Sequence, residues 1–472
     1  GELSALNGIA GSYAENLPVI HLVGMPASTV QNKRRLVHHT LGDGDFSVFY
    51  KMSQGVVCAH ALLTPENCIA ETERVIASAL RERRPVYLGI ASDYANMPVY
   101  GEPGTREEFK SDPVSLAAAV KAIHKMLQRS HTACLLPGVI VARRGLQKEL
   151  RMLVERSGLP FASMFMDKSV LDESLPAYIG IYDGKLMNES VREFIENCDC
   201  VLGVGIVMTD FNSGCFTARL AAEKTININS ESVQVGMASY PNVLMRDVLE
   251  ALNTDIRPMQ IQGPQAVGCG KPVIPPSGEI SVEYLYPRLE QLFKPDDIII
   301  AETGTCSMGL GFARLPAGAV FHNQTLWGAI GWATPAAFGA AVAAPERRII
   351  LVTGEGSHQL TAQEISQFGR LGLKPIILVL NNDGYLIERL LCKDPEASYN
   401  DLCAWNYSKL PEVLGCKEWF CCKVTHCDEL DTALLQAEIA PQGSYIEIVT
   451  GRYEASELAN QLHQALESLY SA

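Results

Sequence analysis

No apolar run in this sequence is long enough to cross a bilayer. The longest, Ala333 to Pro345, is Ala-rich and falls short of the roughly 20 residues a spanning helix needs. Positive charge is in deficit: 39 Lys and Arg against 53 Asp and Glu leave −14, which argues against nucleic acid or an anionic membrane as a partner. A secretory leader is not expected, because Glu2 and Glu15 interrupt the first apolar stretch. Short-period repeats and low-complexity tracts are absent. The 14 cysteines follow no repeated spacing, which argues against a disulfide scaffold and fits a reducing, cytoplasmic setting. Their densest group, Cys421, Cys422 and Cys427 with His426, lacks the second ligand pair that zinc would want. It reads as small thiols packed beside a strand at Lys423–Thr425, and Cys198 and Cys200 read the same way.

What is present is the balance of a globular chain, 47% hydrophobic and 19% charged over 472 residues. That length accommodates about two to four domains of ordinary size. Strand-like apolar runs alternate with helical patterns throughout, the signature of parallel-sheet α/β architecture. Pro18–Val23 and Val86–Ile90 read as strands, with a helix from an N-cap at Thr64 through Pro65 to about Arg83 between them. Glu102–Pro113 is a polar linker. A second unit opens near Val114, with strands at Cys134–Val141, Phe161–Phe165 and Cys200–Val207. Leu146, Leu150 and Leu153 share one helix face there. Gly203 and Gly205 end the last strand as G-x-G, but Met208 stands where a dinucleotide fingerprint wants its third glycine, so a tight turn is the simpler reading. Gly263–Gly278, with four glycines and four prolines, is the clearest linker, and a third unit runs from about Ile280.

The most informative stretch runs from Arg348 through Gly354-Glu355-Gly356-Ser357, then Thr361 and Glu364, to Asn381-Asn382-Asp383-Gly384-Tyr385. It reads as strand, glycine loop, helix, strand, second loop, with Thr361 and Glu364 as a capping box that starts the helix. Parallel strands bring both loops to one carboxyl edge, where α/β sheets bind ligands. Glu355 then offers a carboxylate, Asn382 an amide oxygen and Gly384 a backbone carbonyl toward one point. That all-oxygen set suits Mg²⁺, which takes one or two carboxylates and fills its octahedron with diphosphate oxygens. The glycines, Gly356 beside Ser357 among them, let backbone N–H groups approach phosphate.

These residues resemble a known family. "GEGS…NNDGY" looks like the thiamine-diphosphate motif, usually GDG…NN, of the 2-oxoacid decarboxylases acting on pyruvate, indolepyruvate, phenylpyruvate or branched-chain acids. The likeness covers essentially the whole chain: "GELSALNGIAGSYAENLPV" and "VHHTLGDGDF" in the first domain, "DESLPAYIGIYDGKL" in the middle one, and "AETGTC", "LWGAIGW" and "YNDLCAWNYSKLPE" in the third. The fold it implies is three consecutive parallel-sheet α/β domains of the thiamine-diphosphate enzyme type: a pyrimidine-binding domain at 1–102, a central domain at 114–258 and a diphosphate-binding domain at 280–472. The activity it implies is non-oxidative decarboxylation of a 2-oxo acid to an aldehyde and CO2. Its blocks look most like members that prefer aromatic or branched side chains over pyruvate. Sites between subunits of a homodimer or homotetramer are implied as well.

Taken alone, His38-His39 reads as a surface or turn pair. Within its block it is similar to the decarboxylase double-histidine motif, and imidazoles suit proton transfer near neutrality. Acetohydroxyacid synthases of the same superfamily generally lack this pair, which disfavours a carboligating synthase. By the same resemblance Glu388 contacts substrate, and Ile330 is the apolar wedge that bends the cofactor. Thr303, Gly304 and Thr305 hold its pyrimidine, and Gln324, Ile387 and Leu391 line the substrate pocket.

Three departures stand out. The first unit has only about 100 residues and opens on a helix (Glu2–Ala14) with no strand before it, and Gly1 is not Met, so this domain is expected to be incomplete by roughly 70 residues. The family's glutamate that hydrogen-bonds the pyrimidine, and an acid partnering the histidines, would fall in that part. Glu355 stands where Asp is usual, moving the carboxylate by roughly 1.5 Å against the strict geometry of Mg²⁺. Leu386 replaces a usual Thr near the diphosphate. The alternative these departures motivate is a non-catalytic or truncated relative that keeps the fold and interfaces without turnover.

Overall fold

The structure, a computed structural model, describes residues 1–101 and 109–470. The chain divides into two compact units, Gly1–Lys110 and Ser111–Ala472. Most of the linker expected at Glu102–Pro113 falls outside the described residues. The helix Pro113–Arg129 begins where it ends, capped by Asp112, whose carboxylate accepts the Ser115 N–H at 2.7 Å. Among the described residues no helix is long and apolar enough to cross a membrane.

The first unit holds three parallel strands, β1 (Ile20–Met25), β2 (Ala59–Leu63) and β3 (Val86–Ala91), in the order β1-β3-β2. On one face Val75 and Ala79 of the helix Cys68–Glu82 meet Ala61, Leu63 and Leu88, and on the other Ile9 meets Val23, Val57 and Tyr87. β1 lies at an edge of this sheet and turns Ile20 and Leu22 outward, 51% and 64% exposed. The helix expected from Thr64 starts at Cys68 instead. Asn67 takes the Thr64 N–H on its side chain and returns its own N–H to the Thr64 carbonyl, closing a turn ahead of the helix.

The second unit contains two further sheets. One has seven strands: β4 (Ala133–Pro137), β5 (Phe161–Ser163), β6 (Tyr178–Ile181), β7 (Cys200–Val204), β8 (Thr225–Ile228), β9 (Ser232–Val235) and β10 (Ala238–Pro241), in the order β10-β9-β8-β7-β4-β5-β6. It is parallel from β8 to β6, while β9 and β10 return antiparallel as an edge hairpin. The strands are shorter than expected. Cys134–Val141 splits into β4 and the helix Val139–Arg144, because Gly138 packs so tightly on Gly205 that a Cβ would strike its carbonyl, and the chain turns there. Phe161–Phe165 gives way to a 3₁₀ turn after Ser163, and Cys200–Val207 ends at Val204 because Gly205 adopts φ +65°. Leu146, Leu150 and Leu153 are all buried in this core.

The last sheet is fully parallel: β11 (Ile298–Ala301), β12 (Val320–His322), β13 (Ile349–Gly354), β14 (Ile376–Asn381), β15 (Phe420–Val424) and β16 (Ser444–Val449), in the order β12-β11-β13-β14-β16-β15. Its central strands are continuous runs of Ile, Leu and Val because helices cover both faces. Residues 257–278 thread between the two sheets without helix or strand. The sheets are pinned together by a segment after β5. Lys168 and Glu173, both buried, pair at 2.9 Å; Lys168 also donates to the Ala313 carbonyl, and Glu173 accepts the Leu315 N–H. His426 closes a capping box with Glu429 at the helix Cys427–Ile439.

Candidate functional site

β13 and β14 are hydrogen-bonded neighbours running the same way, with Gly354 level with Leu380, so their trailing loops leave one sheet edge side by side. Helix Glu355–Thr361 starts at once after β13. The capping box expected from Thr361 and Glu364 is not formed, because the Thr361 hydroxyl is committed to the Gly331 carbonyl at 2.8 Å. Starting the helix at Glu355 aims that buried side chain sideways at the next loop. Its Oε1 accepts the N–H of Asn382 at 3.1 Å and of Gly384 at 2.9 Å. Burial pushes the Glu355 pKa up to about 7, against the pull of those N–H groups and of nearby Arg389.

One end of the Asn382 amide lies 2.8 Å from the Gly384 carbonyl oxygen and 3.2 Å from Glu355 Oε1. With nitrogen there, Asn382 donates to both; with oxygen there, three oxygens face one another with no proton between them. Ligands at adjacent corners of a Mg²⁺ octahedron sit about 3 Å apart, so the second arrangement is the donor set for a small divalent cation. The Gly384 carbonyl also accepts the Leu386 N–H at 3.1 Å, which leaves its other lone pair for that set.

Two more loops reach the same edge. After β11, Thr303 gives its hydroxyl to the Gln324 carbonyl at 2.9 Å. Gly304 starts the helix Thr305–Leu310, and a Cβ on it would stand 3.9 Å from Ile387 Cγ2. The Gln324 side chain is buried and accepts the Ala329 N–H at 3.0 Å, so it braces the loop carrying Ile330, itself 38% exposed. Gly356 presses on Tyr385, where a Cβ would collide, and Ser357 is buried beside it. On the helix Leu386–Leu391, Glu388 and Leu391 are exposed, Ile387 is half-buried, and Leu386 is buried in an apolar cluster with Met308 and Leu458.

Two residues of this edge were not singled out from the sequence. Glu302, fully buried at the end of β11, accepts N–H groups from Thr303 and Ala333 and the Thr353 hydroxyl, tying three of the loops together. Burial pushes its pKa up to about 7. A carboxylate ending an all-aliphatic strand was the available signal. Arg389 is the other, and nothing in its spacing marks it.

In the first unit, His38 and His39 are exposed, their rings edge-on with centroids 4.9 Å apart, and His39 has φ +60°. They line a cavity of about 650 Å³ with His21, Glu2 and Asp45 among apolar residues such as Leu41 and Phe46. Glu2 accepts the Tyr87 hydroxyl at 2.8 Å.

Residues 120–254 match the thiamine pyrophosphate enzyme central domain, and residues 302–448 the thiamine pyrophosphate enzyme C-terminal TPP binding domain. The chain is 37% identical to an alpha-keto-acid decarboxylase of Mycobacterium bovis (strain BCG / Pasteur 1173P2), over 98% of this chain and 83% of that one. It is 37% identical to the protein so named in Mycobacterium ulcerans (strain Agy99), over 98% and 82% of the two chains. The counterpart in Mycolicibacterium paratuberculosis (strain ATCC BAA-968 / K-10) is 35% identical over 98% and 83%. The chain belongs to the thiamine-pyrophosphate-dependent 2-oxoacid decarboxylases, a family of carboxy-lyases. The TPP-binding match of this decarboxylase chain spans the loops after β11, β13 and β14 and so includes Glu302, Glu355, Asn382 and Gly384.

Proposed function

We propose that the protein decarboxylates a 2-oxo acid to an aldehyde and CO2, preferring an aromatic or branched side chain to pyruvate, with thiamine diphosphate held through Mg²⁺. The observation that supports this reading is that one end of the Asn382 amide lies 2.8 Å from the Gly384 carbonyl oxygen and 3.2 Å from Glu355 Oε1 at one sheet edge, an end that would turn its oxygen to a bound cation. These three would ligate the cation. Gly356 and Ser357 would face the diphosphate, and Thr303, Gly304, Thr305 and Ile330 the rest of the cofactor. The bound cofactor would supply the electron sink that loss of CO2 requires. The chain's own residues then do the remaining work. Glu388 offers a solvent-facing carboxylate on the helix that carries Ile387 and Leu391, and His38 and His39 hold and move protons. Gln324 braces the loop carrying Ile330 as well as facing the pocket region. Ile387 and Leu391 are medium-sized apolar groups compatible with pyruvate, branched and aromatic side chains alike, so the preference for the larger acids rests on the family blocks that the chain most resembles. A homodimer or homotetramer in the cytoplasm fits the family pattern.

Calorimetric titration with thiamine diphosphate and Mg²⁺, followed by kcat/KM for pyruvate, phenylpyruvate and ketoisovalerate, tests the reading. Saturable binding and faster turnover of the larger acids are expected. Absence of binding would leave the alternative motivated by Glu355 and Leu386, a relative that keeps the fold without turnover. Binding with pyruvate as the best substrate would overturn the preference alone.

A further inference from the structure

Arg389 is the bulkiest fully buried side chain, 1% exposed, in a helix whose neighbours Glu388 and Leu391 reach solvent. Burying a guanidinium is unfavourable unless its charge and all its N–H groups are matched. Here the match is partial. Nη2 donates to the Asp383 carbonyl at 2.6 Å and to Asp401 Oδ1 at 2.9 Å, whereas Nε and Nη1 find no acceptor among the described residues. A group kept under those conditions is held for its position.

That position is the back of the loop between β14 and the helix Leu386–Leu391. Gly384 has φ +141°, and a Cβ there would collide with the Arg389 guanidinium and with the Asn400 carbonyl. The Asn400 carbonyl in turn accepts the Tyr385 N–H at 2.9 Å. The Gly384 peptide is thus bounded behind by Arg389 and by the strap at 398–401, while its carbonyl oxygen faces the Asn382 amide at 2.8 Å and its N–H is held by Glu355. Asp401 also pairs with Arg452 at 2.5 Å, so the strap is anchored from both sides. A cation beside a cation site would ordinarily weaken it, and pairing with Asp401 offsets that charge.

We propose that Arg389 is a positioning residue: wedged against Gly384 and tied to the Asp383 carbonyl, it sets the direction of the Gly384 carbonyl before any cation arrives. The inference rests on reading Glu355, Asn382 and Gly384 as the cation ligands. Arginine suits the role because its rigid guanidinium plane fixes the one nitrogen, Nη2, that bridges the Asp383 carbonyl and the Asp401 carboxylate, whereas a lysine ammonium rides on a flexible stem.

Hydrogen exchange on the full-length protein without metal or cofactor, compared across wild type, Arg389→Lys and Arg389→Gln, tests this. The amides of 382–385 should exchange at least tenfold faster in both variants, with β11 and β13 unchanged. With thiamine diphosphate saturating, the Mg²⁺ concentration at half-saturation, read by calorimetry, should rise at least tenfold in Arg389→Gln and less in Arg389→Lys. If Arg389→Gln does not fold, Arg389→Lys carries the same test, since it keeps the charge. Wild-type exchange and wild-type Mg²⁺ dependence in a folded variant overturn the role of Arg389. A wild-type protein with no saturable Mg²⁺ dependence instead overturns the decarboxylase reading itself.

Discussion

Glu355 Oε1 sits 2.9 Å from the backbone nitrogen of Gly384, so the carboxylate that follows one strand is hydrogen-bonded into the loop that follows the next. Its two hydrogen bonds, to the N–H groups of Asn382 and Gly384, span the gap between the two loops. Glu355 therefore organises the NNDGY loop through its own hydrogen bonds, whatever it binds beyond them.

Glu355→Gln keeps an acceptor for the two N–H groups but removes the charge. Affinity for thiamine diphosphate in Mg²⁺ should fall about 100-fold by calorimetry while the melting temperature of the cofactor-free protein is retained. Glu355→Ala should lose both, with a stability cost of about 1–3 kcal/mol from two unpaired buried donors. Undiminished cofactor binding by Glu355→Gln would show that the carboxylate is not a ligand.

His38→Ala and His39→Ala change exposed side chains, so neither should shift the urea midpoint. If the pair moves protons, kcat should fall about 100- to 10,000-fold with cofactor affinity intact. Wild-type turnover in both variants would remove the histidines from the chemistry.

Glu302 provides a pH signature. Its pKa rises from an ordinary 4.5 to about 7 through burial, so between those values the folded chain holds a proton that the unfolded chain has released. Its contribution to stability is full below pH 4.5 and is lost as pH rises through 7, an effect of about 3 kcal/mol. Glu302→Gln should flatten the decline of unfolding free energy over that window, measured by urea titration of the cofactor-free protein. An unchanged slope would mean that Glu302 is ionised throughout.

The Lys168–Glu173 pair gives a test of the clamp between the two larger sheets. Lys168→Met strands the Glu173 charge in the interior and should cost about 3–5 kcal/mol. Adding Glu173→Leu should recover most of that loss in the same urea titration. A double variant as unstable as the single one would show that the hydrogen bonds to Ala313 and Leu315 matter more than the charges.

How much of this was legible beforehand follows from range. The strands of the last sheet declared themselves because both their faces are covered, which leaves runs such as Ile349–Val352 and Ile376–Leu380 with no polar interruption. The meeting of Glu355, Asn382 and Gly384 was legible because parallel neighbouring strands must deliver their loops to one edge. Thr361 and Glu364 have capping-box spacing, yet Thr361 is bonded to Gly331, thirty positions away, which local spacing does not encode. Apolar residues at Val139–Val141 suit strand or helix equally, and the turn at Gly138 depends on its contact with Gly205. Arg389 is the extreme case. On its own short helix it resembles a surface charge, and it becomes an interior one through contacts with the loop at 383–384 and with Asp401 that local spacing does not encode.

The outward side of β1 has a practical consequence. Among the described residues β1 pairs with β3 on one side only, and Ile20 and Leu22 beside that edge are more than half exposed, so a further extended segment can pair there.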